Sequence, residues 1–373
     1  MFYFKYKKMK RSFVFVPVTL LALFLLNSFV LKEKGSGKKI TKVTRSEPVS
    51  IVLRSTDGGQ TWQDISVGLP ENLRKEGVWG HGLFADDHGL YLRAGNGVYH
   101  SEPNSTTYFW TKEIFPGKQR SIAPGKGGIF AYDFRGQFLK KINGTSDWSP
   151  MYTNFQEQAV RIDKTMDWMY KNFKEREVRS VFETAGGTVF ISSNNMLFRS
   201  TNSGKTWEQV HIGDGSMKLT ELNGVILATN KDGILRSTDN GQNWDQVLSE
   251  GGAGIAVERI DGGFAAITYN TITQINSVHI SLDSGKTWNV IGEDLQPSWN
   301  SLFINQIGRS RSLLNVSSIK QAGKYLVCGR PDGIFRSSDM GKTWKLLLPS
   351  IDNRGFNLSV SGNVIYAIPN KGC

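Results

Sequence analysis

From residue 49 onward the chain alternates short apolar runs with polar turns at a steady rhythm. The unit 217–248 shows the pattern: Lys218-Leu219-Thr220-Glu221-Leu222, then Val225-Ile226-Leu227-Ala228-Thr229, then Ile234-Leu235-Arg236-Ser237, then Trp244-Asp245-Gln246-Val247. These runs have strand length, and the Asn-Gly, Lys-Asp-Gly and Asp-Asn-Gly segments between them are hairpin signals. Each unit therefore predicts four short antiparallel strands. Similar units run through 179–210, 255–291 and 316–348. Units 80–114 and 120–151 keep the rhythm less regularly. Residues 49–65 supply two strands only. Asn357-Leu358-Ser359-Val360 and Val364-Ile365-Tyr366-Ala367 supply two more. Joining the two partial sets gives seven units.

A motif recurs within the units. Ser-x-Asp-x-Gly-x-x-Trp occurs at Ser55, Asp57, Gly59 and Trp62; at Ser237, Asp239, Gly241 and Trp244; at Ser281, Asp283, Gly285 and Trp288; and at Ser337, Asp339, Gly341 and Trp344. A fifth copy, Ser200, Asn202, Gly204 and Trp207, carries Asn in place of Asp. Its chemistry is that of a turn. Asp or Asn accepts backbone N–H groups, Gly supplies positive φ, and Trp packs a large ring on the next sheet while its N–H seeks an acceptor. Trp110 and Trp148 fill the Trp position in the two units without the motif.

The motif resembles the Asp box, or BNR repeat, of sialidases, xyloglucanases, sortilin-type receptors and photosystem II assembly-factor propellers. The resemblance covers most of 51–373. It implies an all-β fold, a seven-bladed β-propeller of four-stranded antiparallel blades, expected to be closed by strands from both ends. It also implies that the box lies on outer strands, away from the functional face. Repetition of this kind hides sheet edges. Two connections are too long for plain loops: 152–178, with Ile162, Met166, Met169 and Phe173 at helical spacing, and 292–315. The propeller is thus expected over 49–373 with insertions at those two places.

Charge changes the picture ahead of the repeats. Residues 1–50 hold eleven Lys and Arg against two Glu, so nine of the twelve excess positive charges lie there. Lys5, Lys7, Lys8, Lys10 and Arg11 precede an apolar run at 13–31. A run of this length and flank predicts one N-terminal hydrophobic helix, a signal anchor or a signal peptide at 1–31. A basic linker follows at 32–48. The propeller is expected outside the cytoplasm, either membrane-anchored or secreted after cleavage. The repeats themselves are nearly balanced in charge, which points away from nucleic acid.

Candidate chemistry is sparse. The Gly-Lys-Thr triplets starting at Gly204, Gly285 and Gly341 lack the earlier Gly of a phosphate loop. The His residues at 81, 88, 100, 211 and 279 have no metal spacing, so no metal or other cofactor is expected. Two Cys, Cys328 and Cys373, make no disulfide framework. The Arg-Ile-Pro segment of sialidases is absent. Val160-Arg161-Ile162-Asp163 is the nearest string.

Two function classes remain. The first is a binding or assembly module without catalysis, monomeric as a propeller, that recruits a protein or glycan through the connections after second and fourth strands. Arg120, Arg135, Arg179, Lys231, Arg309, Arg311, Arg330 and Lys371 fall there. The alternative is a glycoside hydrolase of sialidase-like or xyloglucanase-like type, drawing two carboxylates from Asp163, Asp167, Glu175, Asp232, Glu293, Asp294 and Asp332.

Overall fold

The computed structural model describes residues 50–76, 78–86, 88–95, 97–102, 110–113, 121–132, 138–143, 145, 147–151, 178–193, 196–212, 217–295, 316–351 and 355–369. They form seven four-stranded sheets, all antiparallel. Six are meanders whose strands pair in chain order. Numbered along the chain, blade 2 spans 78–112, blade 3 121–150, blade 4 180–212, blade 5 219–248, blade 6 254–291 and blade 7 318–349. Blade 1 joins Leu53–Ser55 and Gln63–Asp64 to Phe356–Ser361 and Val364–Pro369, with Leu53 paired to Ala367.

The first strands form the inner ring, neighbours being in contact around most of it: Val78–Asp86, Ser121–Gly125, Ser180–Glu183, Leu219–Leu222, Gly254–Ile260, Ser318–Ala322 and Phe356–Ser361. Second strands lie between two neighbouring blades, so both of their faces are covered. Ile226-Leu227-Ala228 and Phe264-Ala265-Ala266-Ile267 are buried at every position. A strand buried on both sides reads as a continuous apolar run, as these do.

The hydrophobic core is divided among the blade interfaces. Phe190, Leu197, Ile226 and Leu235 join blades 4 and 5, Ile234 and Phe264 join 5 and 6, and Val278, Ile319 and Leu326 join 6 and 7. Val327 and Ile365 join blades 7 and 1, and Val52 and Leu92 join 1 and 2. Ile129 with Tyr91, and Phe130 with Trp207, complete blades 2 to 3 and 3 to 4.

Two expectations are corrected. No sheet is closed: each keeps two edges, and strands from distant parts of the chain complete blade 1 without closing it. Blades meet through side chains rather than through a hydrogen-bonded ladder, so packing, not strand pairing, carries the fold from blade to blade. The expected N-terminal hydrophobic helix is not among the described residues. Among the described residues no helix is long and apolar enough to cross a membrane, and the longest is the six-residue Glu71–Glu76. The run 13–31, the linker 32–48, most of the 152–178 insertion and 296–315 lie outside the described residues.

Candidate functional site

The motif turns consume most of their own polar groups. Ser237 Oγ donates to Asp239 at 2.8 Å and accepts the Gly241 N–H at 2.9 Å. Asp239 accepts the N–H groups of Gln242 and Asn243 at 3.0 and 2.9 Å, and the Asn243 side-chain amide at 2.7 Å. Trp244 Nε1 donates to Gly241 O at 3.1 Å. At Asp57, Asp283 and Asp339 the side-chain donor is the hydroxyl of Thr61, Thr287 or Thr343, each at 2.6 Å. Asn202 fits the same turn. It accepts the Thr206 N–H at 2.9 Å and donates to Thr206 Oγ1 at 2.8 Å.

Donated hydrogen bonds favour the charged form of a carboxyl group. The Thr61, Asn243 and Thr287 donors hold Asp57, Asp239 and Asp283 well below the usual carboxylate range, and Thr343 leads in lowering Asp339 to about 2. The box glycines also touch the preceding blade. Gly241 has φ +78°, and a Cβ there would lie 2.4 Å from the Phe190 ring. Arg336 Nη1 of blade 7 donates to Gly58 O of blade 1 at 2.7 Å, and Arg236 Nε of blade 5 to Ser284 O of blade 6 at 2.8 Å. Sequence reasoning missed these arginines. The available signal was an Arg directly before the box Ser at positions 54, 199, 236 and 336.

The residues expected to bind or react are scattered. Arg120, Arg135, Arg309, Arg311 and Lys371 lie outside the described residues, as do Asp163, Asp167 and Glu175. Arg179 is exposed at the entry to blade 4, and Lys231 is exposed in the turn after the second strand of blade 5. Arg330 is buried. It holds Asp332 with two hydrogen bonds of 2.9 Å, donates to Leu295 O and lies 4.9 Å over the Phe335 ring. Asp232 and Glu293 are exposed, and Asp294 accepts the Trp344 N–H at 2.8 Å. Arg330, Asp332 and Asp294 therefore anchor the neighbouring connection and blade.

Elsewhere, buried His279 sits 3.0 Å from Thr268 Oγ1 and 3.2 Å from Glu250, its pKa lowered mainly by burial against the pull of Glu250. Cys328 is a free thiol that burial pushes up, and Cys373 lies outside the described residues. Among the described residues no group of three His, Cys, Asp or Glu is placed to hold a metal ion.

The first strands bring other residues together. A cavity of about 620 Å³ lies among those of blades 2, 3, 6, 7 and 1, with Glu258, Arg259, Asp261, Lys320, Gln321 and Ser359 in its wall. Its wall includes Asp261, Gly323 and Gly362, at the turns from first to second strand. In an antiparallel blade that turn and the next lie at opposite ends. The cavity mouth is therefore at the end carrying the box turns, opposite Lys231 and Arg330. Across the wall, Lys320 pairs with Glu258, and Gln321 Nε2 donates to Asp261 at 2.8 Å. Ser359 Oγ accepts the Ala85 N–H at 2.9 Å. Lys218, at the head of blade 5, feels both Glu258 and Lys320.

The family model described as the DUF6242 beta propeller domain matches residues 156–371, more than half of the chain. The chain belongs to that family. A BNR/Asp-box repeat model also matches residues 53–64 of this DUF6242 propeller, the first of the motif turns. No curated protein matches the chain. Solved structures match it as a fold. The GH74 xyloglucanase from Xanthomonas campestris has a TM-score of 0.51 at 15% identity, covering 78% of this chain and 50% of its own. YCF48 from Cyanidioschyzon merolae has a TM-score of 0.50 at 12% identity, covering 78% of this chain and 96% of its own. The extracellular domain of BT4673 from B. thetaiotaomicron has a TM-score of 0.51 at 13% identity, covering 75% of this chain and 35% of its own. This chain thus spans about half of the xyloglucanase and nearly all of YCF48. The fold is shared by a protein named for catalysis and by others that are not, so it does not choose between the roles.

Proposed function

We propose that this DUF6242 propeller is a non-catalytic binding module that works outside the cytoplasm, attached to a membrane through the apolar run at 13–31. One observation carries the binding role: a polar cavity of about 620 Å³ is walled by first strands from five blades. That volume falls within the range of small-ligand sites, about 300–1,000 Å³. Neighbouring first strands are tied within this wall by the Lys320–Glu258 pair and by the Ala85 N–H to Ser359 Oγ bond. The location draws support from the cationic flank of the apolar run and from the likeness to an extracellular domain.

The glycosidase reading keeps one specific support, the presence of Glu258 and Asp261 in the same wall. Both already have partners in that wall: Glu258 pairs with Lys320, and Asp261 accepts from Gln321. The test uses the full chain in detergent, a glycan array and a turnover assay. Saturable binding without product supports the module. Product formation that Glu258→Gln abolishes contradicts it.

A further inference from the structure

The cavity is the mouth of the channel that the inner ring surrounds, and its charges balance. Glu258 and Asp261 stand in its wall with Arg259 and Lys320. A wall of this kind offers an ion little net attraction. Its hydrogen-bonding capacity is not exhausted. Glu258 meets Lys320 through Oε1, and Asp261 meets Gln321 through Oδ2, so among the described residues each carboxylate keeps a second oxygen. Ser359, only 6% exposed, borders the cavity. Its Oγ accepts the Ala85 N–H at 2.9 Å, and among the described residues no acceptor takes its own proton. A buried donor left unpaired is costly, and a ligand acceptor relieves that cost. Arg259 and Asn363 also line the cavity, and among the described residues no hydrogen bond or ion pair reaches their side chains. One part of the wall is apolar. The Phe84 ring borders the cavity and stacks on Tyr91 at 4.9 Å, and Tyr91 stacks in turn on His100 at 4.4 Å.

We propose that the channel mouth binds a neutral saccharide, a single sugar or the end of a glycan, with a C–H face of the ring against Phe84 and its hydroxyl groups among Glu258, Arg259, Asp261, Ser359 and Asn363. The inference rests on the binding reading above and names the chemistry of its ligand. A hydroxyl group both donates and accepts, so a vicinal pair uses both senses of this wall. One hydroxyl donates to a free oxygen of Glu258 or Asp261, and its neighbour accepts from Arg259. An anionic sugar sets its own charge against the same two carboxylates and gains less. An aromatic face bordered by a few placed polar groups is the general form of a small-ligand site.

The test titrates the full chain, in a detergent without a sugar headgroup, with glucose, galactose, xylose and cellobiose, and with glucuronate and sodium sulfate as charged arms. Ionic strength is held constant with sodium chloride, and heat of binding is recorded. At least one neutral sugar binds saturably, and neither charged arm binds more tightly. Arg259→Gln, at an exposed position, weakens that binding roughly tenfold or more, the loss expected for one charge-assisted hydrogen bond. Phe84→Leu, which keeps apolar bulk but loses the flat ring, weakens it as well. Lys286→Met, a cation on an exposed box turn, leaves it unchanged. No saturable binding of a neutral sugar, tighter binding of glucuronate or sulfate, or either site variant binding like the parent overturns the inference. Asn363→Ala, also at an exposed position, takes the place of Phe84→Leu if that variant does not fold. Glycan capture that is indifferent to these residues removes the saccharide site but leaves the binding module. Turnover removes the module itself.

Discussion

The box turns and the channel wall both concentrate polar side chains, yet they spend them differently. In the turn at 237–244, Asp239 and Ser237 are satisfied within eight residues, and Trp244 donates to a carbonyl in the same turn. In the channel wall, Glu258 reaches Lys320 and Asp261 reaches Gln321 across a blade boundary, and among the described residues Arg259 is left over. A locally satisfied motif builds, because it has nothing left to offer a ligand. A surplus of unmatched groups inside a cavity is what recognition needs. The most recognisable sequence feature and the best candidate site are therefore different residues at the same end of the propeller.

The largest expected effect separates two glycines of similar φ. Gly241→Ala brings a Cβ to 2.4 Å from Phe190 as well as adopting a left-handed conformation. Strain and overpacking together cost about 3 kcal/mol. Gly224, at φ +78° with nothing within 4 Å, carries the conformational term alone, so Gly224→Ala costs about 1 kcal/mol. Urea unfolding of both variants measures the gap, and equal losses would deny that the box turn is wedged against the preceding blade. Next comes Ser237→Ala, which strips the acceptor from the buried Gly241 N–H and costs about 2 kcal/mol. Hydrogen exchange at that amide should accelerate, and unchanged exchange would break the comparison.

A smaller effect is read along the pH axis. The folded pKa values of Asp57, Asp239, Asp283 and Asp339 lie below the ordinary 3.8, Asp339 at about 2. Their stabilisation is fully present above about pH 4 and fades as pH falls toward 2 and through the folded values. Replacing all four by Asn should flatten that acid limb in circular dichroism, since Asn202 already fits the turn. A limb as steep as the parent's would place the acid sensitivity elsewhere. The smallest effect is expected for Lys218→Met, which removes a half-buried charge without an acceptor. Its thermal midpoint should stay level or rise, and a clear fall would mean that the cation braces the fold.

Much of the blade architecture was readable because its cause is local. The period-two runs, the Asn-Gly turn at 223–224 and the recurrent Trp each depend on a few adjacent residues. Trp110 extends this to a unit without the box, donating to Ile65 O of blade 1 at 2.7 Å. The role of Arg330 was misjudged because a cation beside a turn reads as exposed until its neighbour at Leu295 is known. The channel residues were less legible still. Glu258 and Lys320 are 62 residues apart and meet only when blades 6 and 7 pack. Nothing in the alternation of one strand tells how far a long side chain reaches across the ring. The absence of a closed sheet has the same origin, since pattern shows pairing within units and not the side-chain packing between them.

The division between building and binding can be tested in one paired calorimetric titration. Parent, Gly241→Ala and Arg259→Gln chains are titrated with a glycan retained on the array at a temperature where all three are folded. The account predicts parent-like affinity for the glycine variant despite its lost stability, and at least tenfold weaker affinity for the channel variant despite its retained stability. Undiminished glycan binding in the channel variant, or its loss in the folded glycine variant alone, would contradict it.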